Sequence, residues 1–304
     1  MSPGPPPDAR PASVTVVIPT LGGPSLRSSI EALNRGSVVP AEILACIPAA
    51  DAQRAAGLAG ANVKVIATDC RGQVAQRAVG FRRASHDHVM QLDDDVLVDA
   101  RCVESLLGTL RRSGTRVAVG AALMDVATGQ SVYRLPYKPG AVRRFYHWLM
   151  NGRAGYEPGK LDRSGSAFGV DPGSVRDVVF DVEWLAGGCV MHYRKNLVLE
   201  DFYPFQGKAY YEDVVHSWHL TRRGIALKVD SGALCWLETT DFASMGQLDY
   251  LKYLVINYRR RRYSMQLYSR WSVRTYLFYL INYLNYQRRK LNKTMASRRS
   301  QAGR

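Results

Sequence analysis

Three consecutive aspartates form the feature of this sequence best suited to chemistry. Asp93, Asp94 and Asp95 directly follow Asp87–Leu92, which is predicted to be a strand. Ligands of open α/β sheets bind at the carboxyl ends of the strands, and adjacent carboxylates repel one another unless a cation neutralises them. The trio therefore predicts a site for Mg²⁺ or Mn²⁺, hard ions that leave positions open for substrate phosphates. The alternative is a solvated acidic turn before the next helix.

A second acidic pair, Glu212 and Asp213, lies in the first turn of a helix predicted from about Tyr211 to Arg223. A carboxylate at this place can accept the proton of an attacking hydroxyl group if the two come within hydrogen-bond reach. The pair alone favours a simpler interpretation, in which acidic residues complement the helix dipole. Its combination with the aspartate trio favours a catalytic role.

Two histidines follow the acidic pair and raise the question of a further metal ligand. His216 shares a helix face with Glu212 and Asp213 by spacing, and His219 lies one turn later. Spacing does not fix the geometry that a ligand needs, so packing or surface histidines are the favoured interpretation. The remaining four histidines show no pattern.

The elements that must position these residues follow an α/β pattern, in which short β-rich runs alternate with amphipathic segments. The predicted strands are Val14–Ile18, Glu42–Ile47, Val63–Ala67 and Asp87–Leu92, and helices are expected near 24–36, 72–84 and 99–114. A strand-like segment is predicted over Val178–Tyr193. The stretch 137–177, rich in Gly, Pro and Arg, is typical of a long functional loop and predicts no element.

The order of these motifs resembles the glycosyltransferase family 2 enzymes of the GT-A fold. The matching segments are Val16–Thr20, Arg71-Gly72 with Arg77, Gln91–Asp95, Trp184–Gly188, and Glu212–Val214 with Trp218 and Gly224. The resemblance covers about residues 14–230. It implies a Rossmann-like, mostly parallel sheet flanked by helices, in a catalytic domain over 14–240. The nucleotide-sugar half would take about 14–122 and the acceptor half about 123–240.

The resemblance also implies a reaction, the inverting, metal-dependent transfer of a sugar from a nucleoside diphosphate to an acceptor hydroxyl. Its implied nucleotide contacts are Pro19, Thr20, Arg71, Arg77, Asp93 and Asp94; its metal ligands are Asp95 and Asp93; its acceptor side is Trp184, Gly187 and Gly188. Asp213 would be the general base, with Glu212 beside it. One departure leaves the nucleotide base open, because Ile47-Pro48-Ala49 stands where the family commonly has an Asp, and Asp51 is the nearest substitute.

The charge distribution separates the C-terminal segment from the rest of the chain. The net charge of the 304 residues is +15, yet fourteen Lys or Arg residues and no Asp or Glu follow Asp249, so residues 1–249 are nearly neutral. Residues 241–304 are predicted to form a basic, aromatic helical extension. The proline-rich residues 1–13 predict a disordered tail, and five scattered cysteines indicate a reducing, cytoplasmic setting.

The extension predicts a membrane surface as its partner. Its uncharged stretch, Thr275–Gln287, is shorter than the roughly 20 residues that span a bilayer. An apolar helix face with Lys and Arg around it can lie in the headgroup layer of an anionic leaflet, which implies peripheral binding at the inner face and a glycan or lipid-linked acceptor. Packing of a helix pair is the second interpretation, and nucleic acid is the least favoured partner.

Two other function classes fit parts of the pattern. A sugar-nucleotide nucleotidyltransferase uses a similar sheet, but Leu21-Gly22-Gly23-Pro24 lacks the Arg and Lys that such enzymes have in their first loop. A non-catalytic protein could use the α/β domain as a scaffold and bind lipid or nucleic acid through the basic extension. Metal-dependent nucleotide binding would separate this scaffold from an enzyme.

Overall fold

A mixed nine-stranded sheet organises the first of two units in the computed structural model of the chain. The structure describes residues 10–134, 140–153, 155–239, 245–270 and 273–302, with side chains for residues 13–292. The first unit comprises residues 1–137, 157–160 and 167–239, and the second comprises 138–156, 161–166 and 240–304.

The strands of the first unit lie in the order β3-β2-β1-β4-β8-β6-β9-β5, and β7 pairs with β9. In chain order they are β1 (Arg10–Pro19), β2 (Val38–Pro48), β3 (Val63–Thr68), β4 (His88–Leu92), β5 (Leu97–Val98), β6 (Val117–Asp125), β7 (Val179–Asp181), β8 (Cys189–Tyr193) and β9 (Ala226–Leu237). Strands β1 to β4 pair in parallel with one another, which confirms the expected parallel βαβ pattern. Strand β8 is antiparallel to both β4 and β6.

Four α-helices lie within the described residues of the first unit: α1 (Ser25–Asn34), α2 (Gln73–Arg83), α3 (Cys102–Arg112) and α5 (Glu212–Arg222). Helix α1 buries Leu26, Ile30 and Leu33 in the main core. Helix α2 approaches the sheet closely, because a Cβ atom on Gly80 would lie 2.4 Å from a methyl group of Val17. These contacts fix the N-terminus of α2 beside the ends of β1 and β4.

Several boundaries differ from the sequence prediction. Residues 10–13, expected in a disordered tail, belong to β1, and residues 1–9 lie outside the described residues. The predicted segment Val178–Tyr193 is two strands, β7 and β8, separated by seven residues. Strands β6 and β9 were not predicted: β6 is rich in Ala and Gly, which are poor strand formers, and the register of β9 shifts beyond Asp230.

The second unit is helical and contains α4 (Ala141–Asn151), α6 (Gln247–Leu267) and α7 (Arg274–Ala302). Helix α4 falls within 137–177, where no element was predicted. Tyr250 stacks on Tyr286 with 4.0 Å between the ring centroids, and Tyr258 contacts Tyr276 at 5.3 Å, so α6 and α7 pack antiparallel. Tyrosines of the basic extension therefore serve the packing of this helix pair.

No helix within the described residues combines the length and the apolar character that crossing a bilayer requires.

Candidate active site

An open cleft of about 840 Å³ lies where β1, β4 and the N-terminus of α2 meet. This volume is within the range of small-molecule sites. Five of the six residues expected to contact the nucleotide line it, together with the expected metal ligand Asp95: Pro19, Thr20, Arg71, Asp93, Asp94 and Asp95. The aspartate trio therefore opens into a cavity at the carboxyl ends of parallel strands, as predicted.

Hydrogen bonds fix the loop after β1 against the aspartate trio. The Thr20 hydroxyl donates to a carboxylate oxygen of Asp94, and the Ser29 hydroxyl donates to the Asp94 carbonyl at 3.0 Å. The buried Gln76 amide donates at 2.7 Å to the carbonyls of both Thr20 and Cys46. This network joins the ends of β1 and β2 to α2 and leaves little freedom in the cleft wall.

Arg77 lies beneath the cleft, which corrects the expectation that it contacts the nucleotide. Its side chain is 2% exposed and makes a bidentate ion pair with Glu212, with N–O distances of 3.0 and 3.1 Å. The same guanidinium lies 3.6 Å from Asp93. Burial opposes the charge of Arg77, but the carboxylates of Glu212 and Asp93 outweigh it and raise the arginine's pKa.

This ion pair also makes Glu212 unsuitable as a catalytic carboxylate, although it was expected to act beside Asp213. Both carboxylate oxygens of Glu212 accept hydrogen bonds from Arg77, and the residue is 4% exposed. A carboxylate held in a buried bidentate pair is a structural anchor. Asp213, which is partly exposed, remains as the candidate base.

The backbone of Gly187 and Gly188 brings the two acidic clusters together. A Cβ atom on Gly187 would lie 2.7 Å from Oε1 of Glu212 and 3.3 Å from Cβ of Asp213. The side-chain amide of Gln91 donates to the Gly187 carbonyl at 2.7 Å, and the backbone N–H of Asp93 donates to the Gly188 carbonyl at 3.0 Å. The glycine pair thus lies between the end of β4 and the start of α5, where a side chain would displace a carboxylate.

The acidic side chains share an electrostatic environment that opposes their charge. Burial, followed by the charges of Glu212 and Asp95, raises the pKa of Asp93 from 3.8 to about 7, although Arg77 works against this. Burial, Glu212 and Asp93 likewise raise the pKa of Asp213 from 3.8 to about 7. Burial also raises the pKa of Asp94, although Thr20 donates a hydrogen bond to it. The carboxylates of this cluster therefore hold protons at higher pH than free aspartates do.

The donor set fits a metal that takes most of its ligands from a substrate. Within the described parts of the chain, no three His, Cys, Asp or Glu side chains are gathered into a ready-made metal site. Mg²⁺ commonly uses only one or two protein carboxylates and completes its shell with phosphates and water. Asp93 and Asp95 line the same cleft, and a cation beside them would offset the burial and the repulsion from Glu212 and Asp95 that raise the pKa of Asp93.

His216 agrees with the packing interpretation. It is 4% exposed, its ring stacks on Phe202 with 5.5 Å between centroids, and it lies 5.6 Å from the buried ring of His192. Burial, reinforced by neighbouring charged and imidazole groups, lowers the pKa of His216 well below its usual value. His219 also packs on Phe202, at 5.0 Å.

Trp184 is a packing residue, in place of the acceptor contact that was expected. Its side chain is 4% exposed and its indole N–H donates to the Phe168 carbonyl at 3.1 Å. Its ring meets the edge of Tyr133 at 6.0 Å. Of the three expected acceptor-side residues, Gly187 and Gly188 lie beside the acidic cluster, whereas Trp184 stabilises the interior.

Sequence reasoning missed a short segment that lines the cleft opposite the aspartates, Gln206–Ala209. It carries the exposed Lys208, whose ammonium lies 5.5 Å from the ring centroid of Tyr210. The segment turns at Gly207, with φ of 79°, and two residues after its end Tyr211 has a φ of 63°, which is unusual for a residue with a side chain. The available signal was a glycine and a lysine, Gly207 and Lys208, a few residues before the acidic pair.

Asp51, the substitute for the missing family aspartate, lies beside the cleft. Its carboxylate accepts a hydrogen bond from Arg71, which lines the cleft, and lies 3.6 Å from Arg54. Asp51 thus orients Arg71 in the cleft. This contact differs from the direct contact with a nucleotide base that the family aspartate would make.

A mostly parallel sheet flanked by helices, with carboxylates at the strand ends, defines the GT-A class of glycosyltransferase folds. The sequence profile of glycosyl transferase family 2 matches residues 15–168, and the chain belongs to this family. Membership of this family favours a glycosyltransferase over the nucleotidyltransferase and scaffold alternatives.

A structural neighbour supports the fold. A crystal structure of GalNAc-T7 with UDP, GalNAc and Mn²⁺ superposes with a TM-score of 0.53 and 16% sequence identity, over 83% of this chain and 49% of that one. This chain therefore covers about half the length of that neighbour. No curated protein matches the sequence significantly.

Proposed function

We propose that the protein transfers a sugar from a nucleoside diphosphate to an acceptor hydroxyl, with inversion at the sugar carbon and with a divalent cation. The observation that carries this proposal is the joining of two acidic groups, distant in sequence, into one cluster. Asp93 at the end of β4 adds to the burial and the Glu212 charge that raise the pKa of Asp213 at the start of α5, and both aspartates interact with the Arg77–Glu212 pair.

The donor occupies the cleft, with its diphosphate toward the aspartates. Asp95 and Asp93 would hold Mn²⁺ or Mg²⁺, which when bound stabilises the charge of the departing diphosphate. Arg71 and Lys208 border the same cavity and supply further positive charge near the phosphates. GalNAc-T7 has been crystallised with UDP and Mn²⁺, which supports the choice of ligand class.

Asp213 acts as the general base. The acceptor oxygen forms a bond to the sugar carbon while the bond from that carbon to the diphosphate breaks, and the acceptor's proton passes to the Asp213 carboxylate. A single displacement of this kind inverts the configuration at the carbon. A base whose pKa is near 7 is well matched to proton transfer at neutral pH.

The acceptor class is a lipid-linked or other cell-envelope glycan, met during peripheral binding at the inner face of a membrane. The basic charge of residues 241–304 supports this assignment, because anionic leaflets attract polybasic segments. All five cysteines are free thiols, as a reducing setting requires.

A donor screen tests the proposal. UDP-sugars, GDP-sugars and dTDP-sugars are each incubated with the full chain in the presence of Mn²⁺, Mg²⁺ or a chelator. The release of the nucleoside diphosphate is measured. We expect metal-dependent release from one nucleotide class and its loss in Asp95→Asn. Equal release by wild type and Asp95→Asn in the presence of metal would overturn the assigned metal role.

The stereochemistry is a separate test. Once a donor is known, the anomeric configuration of the transferred sugar is read from NMR coupling constants of the product. We expect the opposite configuration to that of the donor, and retention would overturn the single-displacement mechanism.

A further inference from the structure

The net positive charge of the protein resides in its second unit. Residues 138–156, 161–166 and 240–304 contain nineteen Lys or Arg and three Asp, whereas the first unit contains twenty-two Lys or Arg and twenty-three Asp or Glu. The first unit is therefore close to neutral, and the second is a separate cationic surface. Its partner is expected to be anionic.

The same unit exposes most of the protein's large apolar side chains. Of the sixteen such residues within the described regions, twelve belong to the second unit. Helix α7 presents Leu280, Leu284 and Leu291, all more than half exposed and spaced for one helix face. An exposed apolar surface of this extent marks an interaction site.

Helix α4 carries an exposed apolar stripe with two aromatic residues. Val142, Phe145 and Trp148 are 85%, 61% and 54% exposed and follow each other at intervals of three residues. The rings of Phe145 and Trp148 stack with 5.8 Å between their centroids. On the other side of the helix, His147 and Met150 are buried. The helix is thus held by its inner face, and the stripe remains exposed.

Basic residues surround the stripe and no acidic residue interrupts it. Arg143 and Arg144 are exposed on the same helix, and residues 138–156 contain four Lys or Arg without an Asp or Glu. Aromatic and aliphatic residues beside arginines are typical of helices that lie in the headgroup layer. Nucleic acid would use the arginines but gains little from Val142 or from the leucines of α7.

We propose that the stripe of Val142, Phe145 and Trp148 on α4 is an interfacial anchor that inserts into an anionic lipid leaflet. Phe145 and Trp148 enter the boundary between headgroups and acyl chains, and Arg143 and Arg144 bind lipid phosphates. The inference deepens the proposed function by naming the apolar residues through which the protein binds the membrane. It rests on the proposed function for one point only, the identification of the partner as a membrane.

Vesicle partitioning of the full chain tests the anchor. Two kinds of vesicle are used, one of phosphatidylcholine alone and one that also contains phosphatidylglycerol. Each is incubated with wild type and with the triple variant Val142→Ser/Phe145→Ser/Trp148→Ser, the α4 variant. The matched control is Val126→Ser/Val178→Ser/Leu199→Ser, which removes three exposed apolar side chains from the first unit. We expect wild type and control to bind the anionic vesicles, and the α4 variant to bind at least about tenfold more weakly.

The depth to which Trp148 inserts is measured with lipids that carry bromine on their acyl chains, because bromine quenches the fluorescence of tryptophans that reach it. We expect quenching in wild type and its loss in Trp148→Tyr, which keeps most of the binding. Equal partitioning of the α4 variant and wild type, or retained quenching in Trp148→Tyr, would overturn the proposal.

Oligomeric state and donor hydrolysis separate lipid binding from self-association and from a loss of enzymatic activity. A wild-type dimer that becomes a monomer in the α4 variant, without vesicle binding by either protein, would make the stripe a self-association surface and overturn the lipid assignment. Metal-dependent donor hydrolysis in free solution is expected to be equal in wild type and α4 variant. Loss of vesicle binding with intact hydrolysis thus supports the anchor, whereas absent hydrolysis in both proteins counts against the enzymatic proposal alone.

Discussion

Asp213 differs from its neighbour Glu212 in one decisive respect, the partner of its carboxylate. Arg77 neutralises Glu212 with two hydrogen bonds, whereas Asp213 receives a hydrogen bond of 2.9 Å from the Val214 amide and is repelled by Glu212 and Asp93. Adjacent residues of the same chemical type therefore have different functions, one structural and one proposed as catalytic.

Replacing the proposed base gives the first prediction. Asp213→Asn keeps the shape of the side chain but cannot accept the acceptor's proton, so turnover is expected to fall by about 10²–10⁴-fold. The KM for the donor is expected to change little. Steady-state transfer assays measure both, with Asp201→Asn, an exposed carboxylate of the same unit, as the control. Wild-type turnover in Asp213→Asn would refute the assignment.

The raised pKa values predict how stability depends on pH and metal. Asp93 and Asp213 have a pKa of about 7 in the folded protein, against 3.8 when unperturbed. The folded state thus binds more protons between these values, and metal-free stability is expected to fall as pH rises from 4 to 7. Mn²⁺ replaces those protons, so it is expected to raise Tm more above pH 7 than below pH 5.

Thermal melts with and without Mn²⁺ at each pH check this prediction. Asp93→Asn is expected to lose most of the pH-dependent metal effect, and the exposed Asp201→Asn is expected to retain it. A metal-induced increase in Tm that is independent of pH would contradict the proposed site.

At the scale of elements, α2 and α5 are joined by the Arg77–Glu212 ion pair, whose partners are 135 residues apart. Both side chains are almost fully buried. Removal of one partner from such a pair leaves an uncompensated charge, whereas removal of both can be nearly neutral. The pair therefore sets the position of α5, and with it Asp213, relative to the end of β4.

A double-mutant cycle tests this link. Arg77→Met is expected to lower the free energy of unfolding by about 3–5 kcal/mol, and Arg77→Met/Glu212→Met is expected to regain most of that loss. Urea unfolding measures both values, and the exposed pair Arg223 and Glu200 gives a control cycle with a coupling of about 1 kcal/mol or less. Additive effects of the two Met substitutions would show that the pair is not coupled.

Glu42 links the parallel strands at the other end of the sheet. It is buried in β2 and accepts hydrogen bonds from Thr15 of β1, Lys64 of β3 and Ser85. Burial alone would raise its pKa, but these donors lower the pKa from 4.5 to about 2. Its contribution to stability is thus complete above pH 4.5 and is lost as pH falls toward 2.

Glu42→Gln is expected to lower the free energy of unfolding at neutral pH by about 1–3 kcal/mol. The difference from wild type is expected to shrink in acid. Urea unfolding at several pH values measures it, with the half-exposed Glu104→Gln as the control. A difference from wild type that stays constant down to pH 2 would contradict the low pKa.

At the scale of the whole molecule, net positive charge and most of the exposed large apolar side chains of the described residues coincide in the second unit, whereas the charges of the first unit nearly cancel. Electrostatic attraction acts over about a Debye length, whereas insertion of apolar side chains needs contact. The contribution of the arginines to membrane binding is therefore expected to depend on salt concentration, whereas that of the apolar residues is expected to depend on contact with the lipid.

Arg288→Gln/Arg289→Gln removes two exposed positive charges from α7. Each basic residue near an anionic surface contributes about 1 kcal/mol, so loss of the two charges is expected to weaken partitioning to phosphatidylglycerol vesicles roughly thirtyfold at low salt. The difference is expected to shrink at high salt. Sedimentation measures it, and Arg101→Gln/Arg111→Gln in the first unit is the control with the same charge change. Equal losses in both variants would contradict a localised surface.

The sequence by itself determined the first four strands, their parallel order and the aspartate trio, because apolar runs and the residues that end them are local properties. It also determined the order of motifs that identifies the family. Tertiary structure decided the partners: it buried Arg77 against Glu212, packed Trp184 in the interior and brought Lys208 to the cleft. It also formed α4, with its exposed stripe, in a stretch that predicted a loop. Burial and charge pairing depend on residues far apart in the chain, and no local pattern encodes them.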